Sequence, residues 1–440
     1  MVYLNNKVSL FIKQKINSKL FRDSFWAVFG NGIGNALMLL SGIIIARLLG
    51  KDLYGEYGIV KTTMFYIASF ATLGLGVTST KYIASLISQN STHVGNVIRD
   101  SMHITLMFSG LIAFVLFLLS SFLANFLNEA SLAIAFKTLA VIIIFKAITT
   151  TQIGILAGFK KFKTIAVNSV CSGLAMFVLS IPLTYVFGLK GSLLTLLLSQ
   201  MFNTLINFYS VRKESRITPM AKNVSYKKEL IFFSFPVALQ ESSFTICNWA
   251  AIMMLTKYSS LGEVGLYTAS AQWNSIITMI PGLLVNVVLS YLSGSVNAKR
   301  QHEKTLKLML CINFATTIFP FVIVYILANY IASFYGESFG EMSSVLRVLT
   351  FSTILEACSS VYKSELLALG KTWLLFSIRF VRDLILVLSV FMLLNYTDGY
   401  NGAIMYSWAV VIMSTIFFLV LFLIYKIEKI KIEKIKKGKR

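Results

Sequence analysis

Apolar runs of about twenty residues recur along this chain from Phe25 to Tyr425. At about 1.5 Å of rise per helical residue, each run is long enough to cross a hydrocarbon core of ~30 Å. Lipid offers no partner to a backbone amide or carbonyl, so such segments must close their own hydrogen bonds. The fold class that follows is an all-α polytopic membrane protein. Twelve spans are predicted, near residues 24–48, 58–86, 101–126, 132–157, 164–187, 191–211, 230–256, 267–296, 306–334, 343–369, 372–394 and 402–425. Composition agrees: 56% of residues are hydrophobic, 13% are charged, and the mean hydropathy is +0.75.

The formal charge of +22 would point to nucleic acid in a soluble chain. Here it sorts by side of the membrane, and no nucleic-acid partner is expected. Lys7, Lys13, Lys15, Lys19 and Arg22 precede the first span. The even-numbered connections carry Arg99, then Lys160, Lys161 and Lys163, then the cluster from Arg212 to Lys228, then Lys299, Arg300, Lys304 and Lys307, then Lys371. A lysine-rich tail from Lys426 to Arg440 closes the chain, whereas the odd connections hold only Lys51 and Lys190 among several acids. By the positive-inside rule both termini are expected in the cytoplasm, with the chain in the cytoplasmic (inner) membrane. The first span is expected to act as its own insertion signal, because the basic head is too long for a cleavable leader. The basic stretch VSLFIKQKINSKLF reads either as an interfacial helix or as a topogenic tail. Four cysteines scattered singly and three histidines argue against a disulfide framework or a metal site, and no cofactor is expected. With no HExxH or GxSxG and no room for a soluble catalytic domain, the chain reads as a non-enzyme.

The longest basic connection divides the chain in half, and the halves resemble each other. RLLGKDLYGEYG from Arg47 aligns with KYSSLGEVGLYT from Lys257, pairing Gly55 with Gly265 and Tyr57 with Tyr267. GLKGSLL at Gly188 aligns with GYNGAIM at Gly399, and Gly158 with Gly370. The implied organisation is a basic N-terminal segment (1–23), a six-helix bundle (24–211), a cytoplasmic linker (212–229), a second six-helix bundle (230–425) and a basic tail (426–440). An even number of spans per half gives both halves the same orientation, related by a pseudo-two-fold axis along the membrane normal. Two such bundles would enclose a cavity and give alternating access by rocking. FGNGIGNALMLLSG in the first span lacks the GxGxxG spacing and reads as a close-packing helix face. Pro182, Pro236, Pro281 and Pro320 fall inside spans as static kinks or hinges.

Charges inside the membrane carry the functional reading, since a bare ion at mid-bilayer costs several kcal/mol or more and must face a partner or a cavity (about +2.5–3.5 on insertion scales). Lys146 lies roughly 20 Å into the fourth span by helical rise. Arg379, Arg382 and Asp383 share one face of span eleven, with Arg379 and Asp383 spaced as an ion pair that would leave Arg382 free. Glu241 and Glu356 are near mid-depth. Arg47, Lys61, Lys81, Lys257, Arg347 and Lys363 sit nearer span ends, and Lys61, Lys81 and Lys257 either snorkel to head groups or line the cavity. The balance is cationic and would attract an anion. A structural pair between Lys146 and Glu241, Glu356 or Asp383 is the competing reading. Substrate contacts are therefore expected from Lys146, Arg379, Arg382, Arg47, Lys61, Lys81 and Lys257, and proton or sodium coupling from Glu241, Glu356 or Asp383. Asn31, Asn35, Gln152, Asn168, Gln240, Asn248, Gln272 and Asn274, with Trp249 and Trp273, are either sugar-binding groups or interhelical glue.

ARLLGKDLYGEYGIVKTTMFYIASFATLGLGVTSTKYIA near the start and LGEVGLYTASAQW opening the second half, on twelve spans repeated six plus six, resemble the Wzx-type polysaccharide flippases. These belong to the multidrug/oligosaccharidyl-lipid/polysaccharide (MOP) exporter superfamily. The resemblance implies movement of undecaprenyl-pyrophosphate-linked oligosaccharide (O-antigen-like units of surface polysaccharide or lipopolysaccharide) from the inner to the outer leaflet. It also implies ion coupling in some members, and a polysaccharide polymerase or glycosyltransferases as partners. Lipid II flippases of the superfamily carry two further helices that are absent here. A cation-coupled multidrug or small-molecule antiporter is the alternative, and the basic bias argues against it because such exporters tend toward acidic cavities.

Overall fold

The computed structural model describes residues 19–437 apart from 90, 217–219, 222–223, 283–287, 289–291, 293–298, 370 and 397–400, and gives the backbone alone at 19–29, 31, 88, 236–237, 239–242, 299–301 and 429–437. The described residues are helical with short connections. In chain order the helices are α1 (Lys19–Ala71), α2 (Leu75–Ser88), α3 (Val94–Phe126), α4 (Leu132–Gly158), α5 (Phe162–Ser215), α6 (Lys227–Tyr258), α7 (Leu261–Ile277), α8 (Lys299–Ile326), α9 (Ala328–Tyr335), α10 (Met342–Ala368), α11 (Thr372–Tyr396) and α12 (Gly402–Lys437), with a 3-10 turn at Glu337–Phe339.

These helices follow the predicted spans, with differences at the joints. Helices α1 and α5 each carry two spans across a single glycine in a non-helical conformation, Gly50 (φ 74°) and Gly188 (φ 56°). A side chain at such a φ is strained, and glycine lets the chain turn without a loop. The charged residues at 51–57, expected in a connection, are therefore helical. The second span breaks instead at Leu73 and Gly74, both at positive φ. Helix α12 runs on through the basic tail to Lys437. Among the described residues, seven helices are long and apolar enough to span a membrane on their own.

Helix α3 shows how the sequence reads in lipid. Its buried positions include Ser101, Thr105, Ser109, Ala113 and Ser120, while Met107, Leu111, Phe114, Leu118 and Phe122 are exposed. Large apolar side chains face the hydrocarbon, and small or hydroxylated ones let neighbouring helices approach.

The described residues group into two compact units. Unit 1 takes the chain up to Ile45, Thr63–Asn125 and Glu129–Ser242; unit 2 takes Ala46–Thr62, Phe126–Asn128 and the chain from Ser243. In unit 1, Leu75, Ile83, Val97, Ile155, Leu156 and Leu230 form an apolar core. The FGNGIGN stretch packs as expected: a β-carbon at Gly30 would fall 2.2 Å from Ala166 Cβ, and one at Gly34 would fall 2.5 Å from Ser169 Oγ. Helices α2 and α4 touch backbone to backbone, with Gly154 against the Gly76 carbonyl. In unit 2, Val288, Leu306, Val361, Tyr362, Leu375, Phe417 and Leu421 form the corresponding core.

Unit 2 also contains a crossing between the repeated motifs. Residues 51–62 pack along α7, and a β-carbon at Gly55 would stand 1.8 Å from the Leu261 carbonyl oxygen. Reciprocally, one at Gly265 would stand 2.2 Å from the Lys51 carbonyl oxygen. Glu263, at the head of α7, accepts a 2.7 Å hydrogen bond from Ala403 N at the head of α12. Burial lifts the Glu263 carboxyl above its ordinary value; Glu341 adds to the rise, while the Ala403 N–H and Lys51 oppose it.

Candidate functional site

The membrane-embedded cations rest on aromatic faces. In unit 1, Lys146 Nζ lies 5.1 Å from the centre of the Phe65 ring, and Lys81 Nζ lies 3.5 Å from that of Phe233. In unit 2, Lys257 Nζ is 3.6 Å from the Phe126 ring, and the Arg382 guanidinium is 4.7 Å from Phe417. Arg379 and Arg382 flank the Phe244 ring at 5.8 and 5.9 Å. A ring face attracts a cation through its quadrupole, by ~0.5–2 kcal/mol, and leaves the net charge in place. Among the described residues, no carboxylate reaches ion-pair distance of Lys81, Lys146, Lys257 or Arg379. The Glu241 side chain, named above as a partner for Lys146, lies outside the described residues.

Helical geometry explains the placement of Lys146. It projects from the middle of α4, and its carbonyl accepts from Thr150 Oγ1 at 2.9 Å. Ile142 and Ile143 one turn earlier are fully buried. The lysine itself is half-buried.

The pairing on α11 differs from the one that spacing suggested. Arg382, not Arg379, holds Asp383: its Nε donates to Asp383 Oδ1 at 2.8 Å and its Nη2 donates to the same oxygen. Asp383 is 1% exposed, so the neighbouring guanidinium can reach it only by folding back along the helix. Arg379 is left without a carboxylate at ion-pair distance among the described residues. The second oxygen of Asp383 has no partner among the described residues. Glu356 on α10 is exposed, with Lys363 and Arg382 as its electrostatic neighbours. Glu356, Arg382 and Asp383 thus form one charged group within unit 2.

Lys61 and Gln272 lie together in the same unit. Lys61 Nζ donates to Gln272 Oε1 at 3.3 Å, and Gln272 Nε2 donates to the buried Tyr54 hydroxyl at 2.5 Å. Trp273 Nε1 donates to Tyr335 at 3.1 Å, and Asn274 to the Leu349 carbonyl at 3.3 Å. Arg47 is set apart on the surface beside Gly336. Asn168 bonds Asn207 at 3.0 Å, and Asn248 bonds the Phe244 carbonyl at 2.8 Å, so both serve as glue. Gln152 is fully buried in unit 1 with neither amide atom bonded among the described residues. Asn31 and Gln240 fall outside the described side chains.

The aromatic seats were not legible in the sequence. Phe233 is 152 residues from Lys81, and Phe126 is 131 from Lys257; no local spacing announces either contact. The chain does contain 35 phenylalanines, so a ring near each cation could have been expected on supply alone.

Comparisons with known proteins bear on this arrangement. A Shigella flexneri protein named for O-antigen transport is 24% identical over 368 residues, which is 80% of this chain and 86% of its own. An inward-facing multidrug resistance MATE family transporter of the MOP superfamily superposes with a TM-score of 0.77 at 17% identity, covering 92% of this chain and 96% of that one. The lipid II flippase MurJ, in an inward closed conformation, gives 0.71 at 16% identity over 91% and 87%. These structural likenesses show that the chain shares the fold of those structures, and its long apolar helices make it a multi-pass membrane protein. The sequence profile of the polysaccharide biosynthesis proteins matches residues 20–296, well over half of the chain. The chain belongs to the polysaccharide biosynthesis protein family.

Proposed function

We propose that this chain is a flippase that carries undecaprenyl-pyrophosphate-linked oligosaccharide from the inner to the outer leaflet of the cytoplasmic membrane by alternating access. Both termini lie in the cytoplasm, on the side where the basic connections gather. The observation that carries the reading is the seating of Lys81, Lys146, Lys257 and Arg379 on or beside aromatic rings without a carboxylate among the described residues. Membrane cations with no carboxylate beside them among the described residues suit an anionic head group. A pyrophosphate accepts charge-assisted bonds from guanidinium and ammonium alike. Family membership and the relative named for O-antigen transport support a polysaccharide cargo. A polymerase or glycosyltransferases would act on the sugar before and after the lipid crosses.

Coupling to a proton or sodium gradient is assigned to Glu356 and Asp383, the carboxylates grouped with Arg382, together with Glu241. The reading is tested by deleting the protein. Loss of surface polysaccharide with unchanged dye resistance supports the flippase. Altered dye resistance with normal polysaccharide supports the antiporter, whose fold is the same.

A further inference from the structure

The connection between the two sequence halves reads in the sequence as a basic linker, and the structure fastens its residues Ala221, Val224, Ser225 and Tyr226. Asn96 and Asp100, one turn apart at the head of α3 and both fully buried, are directed at it. Asn96 Nδ2 donates to the Ala221 carbonyl at 2.9 Å and the Val224 carbonyl at 2.8 Å, while its Oδ1 accepts from Ala221 N at 2.9 Å. Arg99 Nη2 donates to the Val224 carbonyl at 3.0 Å, and its Nε donates to Asp100 Oδ1 at 3.0 Å. The second Asp100 oxygen accepts from Tyr226 N at 2.7 Å and from Ser225 Oγ at 3.0 Å. His93 meets the Tyr226 ring edge to face, with centres 5.9 Å apart.

Tyr226 immediately precedes α6, and its carbonyl accepts from Leu230 N at 2.9 Å as the first bond of that helix. Asp100 therefore caps α6 from another helix, and its negative charge stands at the positive end of the α6 dipole. A buried carboxylate that takes three donors is a costly group to keep unless its position matters. Helix α6 begins in unit 1 and passes into unit 2 after Ser242. Ten residues beyond Tyr226 stands Pro236, which has no N–H to give to the helix.

We propose that Asn96, Arg99 and Asp100 are positioning residues for transport. They clamp the connection to α3 and hold the base of α6 fixed, so that reorientation of α6 during the cycle takes place beyond Tyr226, around Pro236, and not in the linker. The inference rests on the transport reading above. The clamp itself is read by a measurement that does not depend on cargo.

Arg212, Lys213, Arg216, Lys222, Lys227 and Lys228 make the connection a substrate for trypsin when it is loose. The test digests the full-length protein, its four cysteines replaced by serine, in membrane vesicles that expose the connection. Surface polysaccharide is measured in parallel in cells at matched abundance. The unaltered chain should be cut slowly. Asn96→Leu and Asp100→Leu should each speed cutting on the order of tenfold or more, because buried polar bonds to the connection are lost. Export should fall with them, and Asp100→Glu, which keeps the carboxylate, should retain part of both properties. A fourth variant, Asn96→Cys with Val224→Cys, closes the clamp covalently, and export that continues with this disulfide formed supports a clamp that stays shut. Three results would overturn the proposal: equal cutting of variants and parent, fast cutting with full export, or export lost on oxidation and regained on reduction. Should the leucine variants fail to accumulate, the disulfide variant decides. Should deletion of the protein leave surface polysaccharide unchanged, the cargo assignment fails while the cutting rates still read the clamp.

Discussion

Gly58 and Thr268, separated by the same 210 residues as Gly55 and Gly265, touch each other: a β-carbon on Gly58 would stand 2.8 Å from Thr268 Oγ1. Gly262 likewise meets Asp52, its own counterpart at that offset. Positions that are equivalent in the two halves thus face one another, and the flanking contacts, Gly55 to Leu261 and Gly265 to Lys51, are each other's mirror under exchange of the halves. Contacts that advance together along both helices require parallel helices in register. The local pseudo-two-fold axis of this crossing therefore runs along them.

Gly55→Leu should be severe at this crossing. The obstructing atom is the backbone carbonyl of Leu261, which no rotamer change can remove, so the cost should reach about 1–3 kcal/mol or more. Thermal unfolding in detergent reads it directly. Gly58→Ala should be milder, because its nearest neighbours belong to the Thr268 side chain. Equal melting of Gly55→Leu and the parent would contradict the crossing.

Topology is tested at Ser215, at the end of α5. A cysteine there should resist an impermeant thiol reagent in intact cells and react after permeabilisation. Ready labelling in intact cells would reverse the proposed orientation.

The Arg382–Asp383 pair is buried on its acidic side. Asp383→Ala should strand the guanidinium and lower stability by about 3–5 kcal/mol, whereas Arg379→Ala should leave stability nearly unchanged while reducing transport. Comparable losses of stability in the two variants would show that Arg379 is structural as well.

Glu356 stands beside Lys363 and Arg382, where loss of a neighbouring cation or its capture by substrate would change the hold on its proton. Glu356→Gln should weaken the pH or sodium dependence of transport in vesicles. Unchanged dependence in Glu356→Gln, Asp383→Asn and Glu241→Gln, singly and combined, would remove these carboxylates from coupling.

The helices were legible because lipid allows an apolar run only one backbone solution, and the charge asymmetry marked their ends. Gly55 and Gly265 were legible as a repeat, but the sequence did not say that they touch. That contact joins residues more than 200 apart through backbone carbonyls, which carry no side-chain signature. Charge alone also misled on α11: i, i+4 spacing favoured Arg379 for Asp383, whereas the adjacent Arg382 folds back because Asp383 points into the unit and Arg379 toward Phe244. The Asn96 and Asp100 clamp was invisible for a simpler reason. Its acceptors and donors are mostly main-chain atoms of the connection, so residue types there say little.

Lys146 stands foremost among the intramembrane cations that have no carboxylate beside them among the described residues and that are proposed to bind a lipid pyrophosphate. Even at an effective dielectric near 20, one unit-charge contact at about 4 Å is worth about 4 kcal/mol before desolvation, enough to decide occupancy. The direct measurement is flipping of undecaprenyl-pyrophosphate-linked oligosaccharide by the purified protein in proteoliposomes, beside a cationic dye. The unaltered chain should move the lipid and not the dye. Lys146→Ala should abolish or greatly reduce flipping with insertion intact, Lys146→Arg should keep part of it, and neutral changes at Thr150 or Gln152 should do less. Wild-type flipping by Lys146→Ala, or transport of the dye in place of the lipid, would contradict the account.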